Sequence, residues 1–291
     1  MKIFFLCPQW GQEHLPLEEF FSNVKSAGYD GVETWMPVQE AERKKLMRLA
    51  SEYKMQLVSH QHQAAGSSIN EFCRSFEYYL HLSAACNPLH INSHSGKDYF
   101  SPDEQLQVID TAANFSIKYN IAVLHETHRG RIFFSPGNAA SIFAARPDVS
   151  ITADFSHWVC VAENLQLTGF EAPLKKAINN AAGIHARVGF EEGPQIADPR
   201  LPVWEKEMTV FLGWWDDILQ QAAAKGKEDF VITPEFGPAP YMWHIPPANQ
   251  PVASQWEINK YMLQLLLKKY GATNNSVKDD SARVLVKSNV F

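Results

Sequence analysis

The sequence is poor in basic residues, in closely spaced cysteines and in long apolar runs, and each shortage removes a class of function. Lys and Arg number 26 against 32 Asp and Glu, for a net charge of −6. Such a balance provides no cationic stripe to follow a phosphate backbone, so nucleic acid is set aside as a partner. Four cysteines, Cys7, Cys73, Cys86 and Cys160, lie far apart, which argues against a zinc knuckle or a disulfide framework and for a reducing, cytoplasmic setting. No stretch approaches the roughly 20 apolar residues of a membrane span. The opening MKIFFLCP has too short an apolar run for a signal segment and is stopped by Pro8, so it reads as a first buried strand. No linker divides the chain.

What is present is an alternation of short β-rich runs with amphipathic helical runs. KIFFLC precedes a stripe of Leu17, Phe20, Phe21 and Val24; GVETW precedes Leu46, Leu49, Ala50 and Tyr53; QLVSHQH precedes Ile69, Phe72, Phe76 and Leu80. LHINSHS is followed by Leu106, Ile109 and Ala113, in a helix that Ser101 caps and Pro102 opens. IAVLHETH comes next. VSITADFSH then leads to Leu174, Ala177, Ile178 and Ala181, GIHARVGF to Phe211, Trp214, Trp215, Ile218 and Ala222, and DFVITPEFG to Ile258, Met262, Leu265 and Leu266. Eight strand candidates with nearly continuous apolar character imply a parallel sheet closed as a single (β/α)8 TIM barrel over residues 1–270. Two long stretches rich in proline and aromatics, 190–204 and 237–255, are expected as loops after strands 7 and 8 on the face where barrel active sites form. Residues 271–291 are set apart as a C-terminal tail, polar and then ARVLVKSNVF, with disorder and pairing to another subunit of a homo-oligomer both open.

In a closed parallel barrel the strand ends converge, which brings Glu126, Asp154, His185 and Glu235 around one point. Glu126 and Glu235 end apolar runs where an unpartnered carboxylate is costly, and a divalent cation (Mn, Mg, Co or Zn) supplies the partner. The competing reading gives them separate salt bridges to Arg129 or a loop lysine. Asp154 and His157 in DFSH read either as metal ligand and substrate contact or as a loop cap and its polar neighbour. Period-2 alternation puts His185 and Arg187 on one face. There Arg187 meets an oxygen-rich ligand or pairs with Glu191 or Glu192. His60, His62, His90, His94 and Glu33 gather around earlier strand ends, with His60, His94 and Glu33 as candidate substrate contacts. Trp10, Trp35, Trp158 and Trp243 are candidate walls for a sugar face or ordinary packing.

Through HETHRG, ADFSHW, GIHARVG and TPEFG the chain resembles the xylose isomerase-like barrel superfamily of sugar phosphate isomerases and epimerases, which includes ketose 3-epimerases, inosose dehydratase and endonuclease IV. The resemblance implies one divalent metal on Glu126, Asp154, His185 and Glu235. It further implies isomerase or epimerase action on a sugar or polyol ketone by proton transfer next to a carbonyl through a metal-stabilised enediolate. Glu126 and Glu235 would be the catalytic pair, and His157 and Arg187 would orient substrate oxygens. Arg187 departs from the epimerase pattern, where the substrate-binding arginine follows the strand-seven histidine by several residues rather than two. Alternatives are an endonuclease IV-like phosphodiesterase, a cyclitol dehydratase and a non-catalytic sugar-binding barrel.

Overall fold

A computed structural model describes residues 1–271, so all of the tail but Gly271 lies outside the described residues. Eight parallel strands close in sequence order into one barrel. They are β1 (Lys2–Pro8), β2 (Gly31–Thr34), β3 (Gln56–Gln61), β4 (Ile91–Ser93), β5 (Val123–Glu126), β6 (Ile151–Ala153), β7 (Ala181–His185) and β8 (Asp229–Thr233). β1 closes the ring onto β8 through Phe4 opposite Val231 and Phe5 opposite Ile232. The helices are α1 (Leu17–Ala27), α2 (Glu40–Glu52), α3 (Ile69–Ala84), α4 (Pro102–Tyr119), α5 (Pro136–Ala145), α6 (Phe155–Ala162), α7 (Glu171–Asn180), α8 (Glu205–Ala224) and α9 (Gln255–Tyr270).

Alternation along the strands divides the apolar side chains. Ile3, Phe5 and Cys7 belong to the large core between sheet and helices, while Phe4, Leu6, Val58 and Val231 form a separate cluster inside the barrel. The expected cap of α4 is a full capping box, with Ser101 N donating to Glu104 at 2.8 Å and Ser101 Oγ accepting from Glu104 N at 3.4 Å. All four cysteines are free thiols, and no helix among the described residues is long and apolar enough to cross a membrane.

Several local readings need correction. The buried face of α4 runs through Val108, Ile109, Ala112 and Phe115, so Leu106 and Ala113 lie off the stripe. Ala181 is the first residue of β7, not the last turn of α7. VSITADFSH is not one strand. β6 ends at Ala153, Asp154 caps α6 by accepting from Ser156 N at 3.1 Å, and His157 lies in the first turn of that helix. Helix α5 has no counterpart in the periodicity reading. The two long stretches also contain local order: a 3-10 turn at Pro202–Trp204, and an antiparallel ladder of β9 (His244–Ile245) and β10 (Gln250–Pro251).

Candidate active site

The C-terminal ends of the strands surround a cavity of about 290 Å³ lined by Trp10, Glu13, Trp35, His60, His62, His94, Glu126, His128, Arg187, Glu235 and Tyr241. At its floor, one ligand atom from each of Glu126, Asp154, His185 and Glu235 lies within 4.8 Å of the others, and all four residues are buried. Each comes from a different strand end, β5 through β8, so the convergence follows from barrel closure.

His185 is the hub of this floor. Its Nε2 faces Glu33 Oε1 at 2.9 Å, and its Nδ1 lies 2.9 Å from Glu235 Oε2 and 3.5 Å from Glu126 Oε2. Glu33 is fixed in turn by Thr233 Oγ1 at 2.7 Å and Asn92 Nδ2 at 3.1 Å. A carboxylate on the far nitrogen of a histidine orients the near nitrogen toward a metal. Glu33 is therefore a partner of His185 beneath the floor and is not among the cavity-lining residues. Although burial opposes charge, His185 holds Glu33 down to about 2, and Glu235, Glu33 and Glu126 hold the His185 imidazole well above its usual range. A proton on His185 offsets some of the carboxylate charge, as a cation would.

The floor fits a divalent ion on its own atoms. Glu126 Oε1 is buried without a hydrogen-bond partner and His185 Nδ1 meets only the carboxylates of Glu235 and Glu126, without a hydrogen bond of good geometry, and both residues belong to the converging group. Three carboxylates and an imidazole are the oxygen and nitrogen donors that Mg, Mn, Co or Zn accept. Asp154 is shared with other groups. Its Oδ1 accepts from the backbone and hydroxyl of Ser156, and Arg187 Nη2 donates to Oδ2. Burial pushes Asp154 up to about 6, with Arg187 pulling the other way.

Arg187 is almost fully buried, and neither Glu191 nor Glu192 pairs with it. It sits among Asp154, Glu235 Oε2 at 3.7 Å from Nη1, Ser156 Oγ at 3.2 Å from Nε, and His157 Nε2 at 2.7 Å from Nη2. The rings of Trp10 and Tyr241 cover its guanidinium at 5.9 and 4.9 Å. Because Arg187 can only donate, His157 Nε2 is the acceptor in that contact. His157 does not line the cavity and stands behind Arg187.

A file of imidazoles leads from the cavity back to His157. The ring centroids of His60 and His94 are 4.4 Å apart, those of His94 and His128 4.2 Å, and those of His128 and His157 3.9 Å. Burial pushes His60 down to about 3 and His62 down to about 4, and lowers His128 and His157 as well, so burial holds these four rings neutral. His90 precedes β4 and lies away from the mouth. Trp10 and Trp35 line the cavity, whereas Trp158 is buried with Nε1 donating to Phe133 O at 2.8 Å, and Trp243 packs on Phe190 and Trp204 outside it. The residues that sequence reasoning missed are Glu13, His128, Asn92 and Tyr241; the HETH spacing of Glu126 and His128 was the available signal for one of them.

A family model described as xylose isomerase-like TIM barrel matches residues 21–198. The chain belongs to this family. No curated protein matches it by sequence. Solved structures show the same fold at low identity. They include 3-keto-D-glucoside 4-epimerase from E. coli, at TM-score 0.58 and 13% identity over 92% of this chain and 100% of that one. A xylose isomerase-like TIM barrel protein from Mycobacterium smegmatis in complex with magnesium matches at 0.58 and 12%, over 91% and 97%. Endonuclease IV from Thermus thermophilus matches at 0.52 and 14%, over 82% and 94%.

Proposed function

We propose that the protein is a divalent-metal-dependent isomerase or epimerase acting on a sugar or polyol ketone by proton transfer next to a carbonyl. The observation that carries this reading is the approach of both Glu126, at 3.5 Å, and Glu235, at 2.9 Å, to His185 Nδ1, with Glu33 holding the opposite nitrogen. Two carboxylates that face one point from different strand ends can act on opposite faces of a carbon held between them. Glu126, Asp154, His185 and Glu235 would hold the cation, which when bound supplies Lewis acidity at the carbonyl and adjacent hydroxyl oxygens.

The remaining chemistry belongs to the chain. One of Glu126 and Glu235 takes the proton from the carbon and the other returns it to the opposite face. The imidazoles of His60, which burial holds neutral, and of His94 exchange hydrogen bonds with substrate hydroxyls. Trp10, Trp35 and Tyr241 pack on the apolar face of the carbon chain and exclude water. Arg187 holds Asp154 in place and presents its remaining donors to a substrate oxygen, with His157 fixing its orientation.

The test is elemental analysis of the purified protein, then ketohexoses and inososes in deuterium oxide. A divalent ion bound through the quartet and deuterium at the carbon next to the carbonyl are expected. An Asp154→Ala variant that keeps full metal occupancy sinks the site.

A second reading has its own observation. His60, His94 and Glu126, and separately Glu126, His128 and His157, also bring ligand atoms within 4.8 Å, which suits a multi-metal phosphodiesterase of the endonuclease IV kind. The net charge of −6 ranks it second. Metal-dependent nicking of abasic duplex DNA that disappears with Glu235→Gln reverses the ranking.

A further inference from the structure

Most arginines of this chain that reach an acid are paired in the ordinary way. Arg146 grips Asp110 with 2.7 Å contacts from Nε and Nη2, and Arg200 grips Asp198 at 2.8 and 2.7 Å. Two cations on the catalytic face are left differently. Lys97 lies four residues past β4 and Arg131 five past β5, both half-buried. Neither makes a side-chain hydrogen bond or an ion pair within 4 Å among the described residues, and Arg131 Nη1 is covered from solvent with no partner. Asp98, the nearby acid, is exposed and forms no ion pair with either.

The two loops that carry them are in contact. Ile132 N donates to Ser95 O at 3.1 Å, and at Gly96, whose φ is +60, a Cβ would meet Ile132 Cγ2 at 2.4 Å. Lys97 and Arg131 thus flank the same junction. The turn back to the cavity is equally short, since Arg131 N donates to His128 O at 3.2 Å and His128 stacks on His94, both of which line the cavity. Burial and the neighbouring Arg131 push the Lys97 amine below its usual range against the pull of Asp98, which is near enough to act on both cations but pairs with neither.

We infer that Lys97 and Arg131 form an anion subsite at the rim of the cavity, taking a phosphate or carboxylate group carried by the substrate. This rests on the reading of the cavity as the site of a polyhydroxy ketone. A guanidinium offers five donors and an ammonium three, and an oxyanion satisfies several at once. The cavity floor is already crowded with carboxylates, so an anionic substituent is held away from them at the rim while the carbonyl end reaches Glu126 and Glu235. The file from His94 to His128 links the two positions.

The test uses inorganic phosphate and, in parallel, acetate, at ionic strength matched with sodium chloride, followed by titration calorimetry and thermal melting. Each is run on metal-loaded and on chelator-treated full-length protein. Saturable binding of one anion is expected in both forms, weakened about tenfold by Arg131→Met and by Lys97→Met, with Arg131→Lys closer to the parent. Which anion binds tells phosphate from carboxylate. Melts without added anion report whether each variant is folded, and Lys97→Met gives an independent arm if Arg131→Met is not. No binding by the parent protein overturns the proposal. So does equal binding by the methionine variants, which marks an adventitious ion only. Binding that survives Arg131→Met but vanishes on chelation belongs to the metal centre and overturns it too. Because the chelated arm needs neither metal nor turnover, failure of the isomerase reading and failure of the anion subsite are separately visible.

Discussion

The inside of the barrel holds two adjacent layers of opposite character. The lower layer is apolar: Phe4, Leu6, Val58 and Val231 pack on one another. The layer above is made of Glu33, Asn92, His185 and Thr233, all buried and joined by hydrogen bonds. Strand β8 and its exit contribute to both, since Val231 belongs to the lower layer, Thr233 to the upper, and Glu235 two residues on reaches the cavity. On the proposed reading, stability and chemistry are separated by one step of the pleat. Damage to the lower layer is then expected to act on folding, and damage to the upper layer and the residues above it on the proposed reaction.

The largest expected effect lies at the top. Glu126→Gln and Glu235→Gln each keep an oxygen ligand and nearly the same size but remove the base. Turnover is expected to fall by at least about 100-fold while metal content and melting temperature stay near those of the parent. Near-normal turnover in both variants makes the carboxylates purely structural and the proton-transfer reading wrong.

Acid should reveal the other division of the fold, between the two faces of β5. Glu126 looks into the cavity, whereas its neighbour His125 packs on Phe133, with Nδ1 2.6 Å from Ser95 Oγ. Burial pushes His125 from 6.5 down to about 3. Its folded-state value is the lower one, so the unfolded chain binds the proton first. Its contribution is complete above the unfolded value and is lost as pH falls through the window between the two. The slope is about 1.4 kcal/mol per pH unit, on the order of 3 kcal/mol by about pH 4. Denaturant unfolding at several pH values should show it, and His125→Asn should flatten the curve by one proton. An unchanged slope in that variant assigns the acid sensitivity elsewhere.

In the lower layer, Val231→Ala deletes two methyl groups among Phe4, Leu6 and Val58 and should cost about 2 kcal/mol of stability. Turnover at a temperature where the variant is folded should be unchanged. A loss of turnover as large as that of Glu235→Gln erases the distinction between the layers.

The legible part of this molecule was what one strand shows by itself. Buried parallel strands are apolar on both faces, so an acid or histidine at the end of such a run stands out, and Glu126, Asp154, His185 and Glu235 were found in that way. Helix α6 was not legible because FSHWVCVA is buried around most of its circumference and carries no stripe, so its residues passed for strand. Helix α5, PGNAASIFAA, is short and rich in alanine, with only four buried positions to mark a face. The role of Glu33 as the partner of His185 was hidden for a different reason: 152 residues separate the two, and only barrel closure brings β2 opposite β7. Tyr241 and Glu13 come from loops without periodicity. One clue was readable in principle: Asn259 is a polar residue on the buried face of α9, beside Ile258 and Met262.

Asn259 belongs to the smallest predicted effect, which lies at the boundary between scaffold and site. Past β8 the chain loses its strand neighbours, yet Phe236 and Gly237 remain paired. Asn259 accepts from Phe236 N at 2.8 Å and donates to Phe236 O at 3.0 Å. Gln195, from the loop after β7, accepts from Gly237 N at 2.7 Å and donates to Gly237 O at 3.3 Å. Two side-chain amides thus do for these residues what a neighbouring strand does within a sheet, immediately after Glu235. Gly237 must lack a side chain, because a Cβ there would lie 2.2 Å from the Trp10 ring. Removing Gln195 leaves both Gly237 groups without these bonds, whereas removing Asn259 leaves Phe236 N without one while Phe236 O still accepts from Gln255 Nε2 at 2.9 Å, at about 1 kcal/mol per bond lost. Gln195→Ala and Asn259→Ala should therefore lower the melting temperature modestly and kcat about tenfold through misplacement of Glu235, with a smaller change in KM. If both variants melt earlier but turn over at the parental kcat, the clamp serves the fold alone and the boundary between the two functions lies above it.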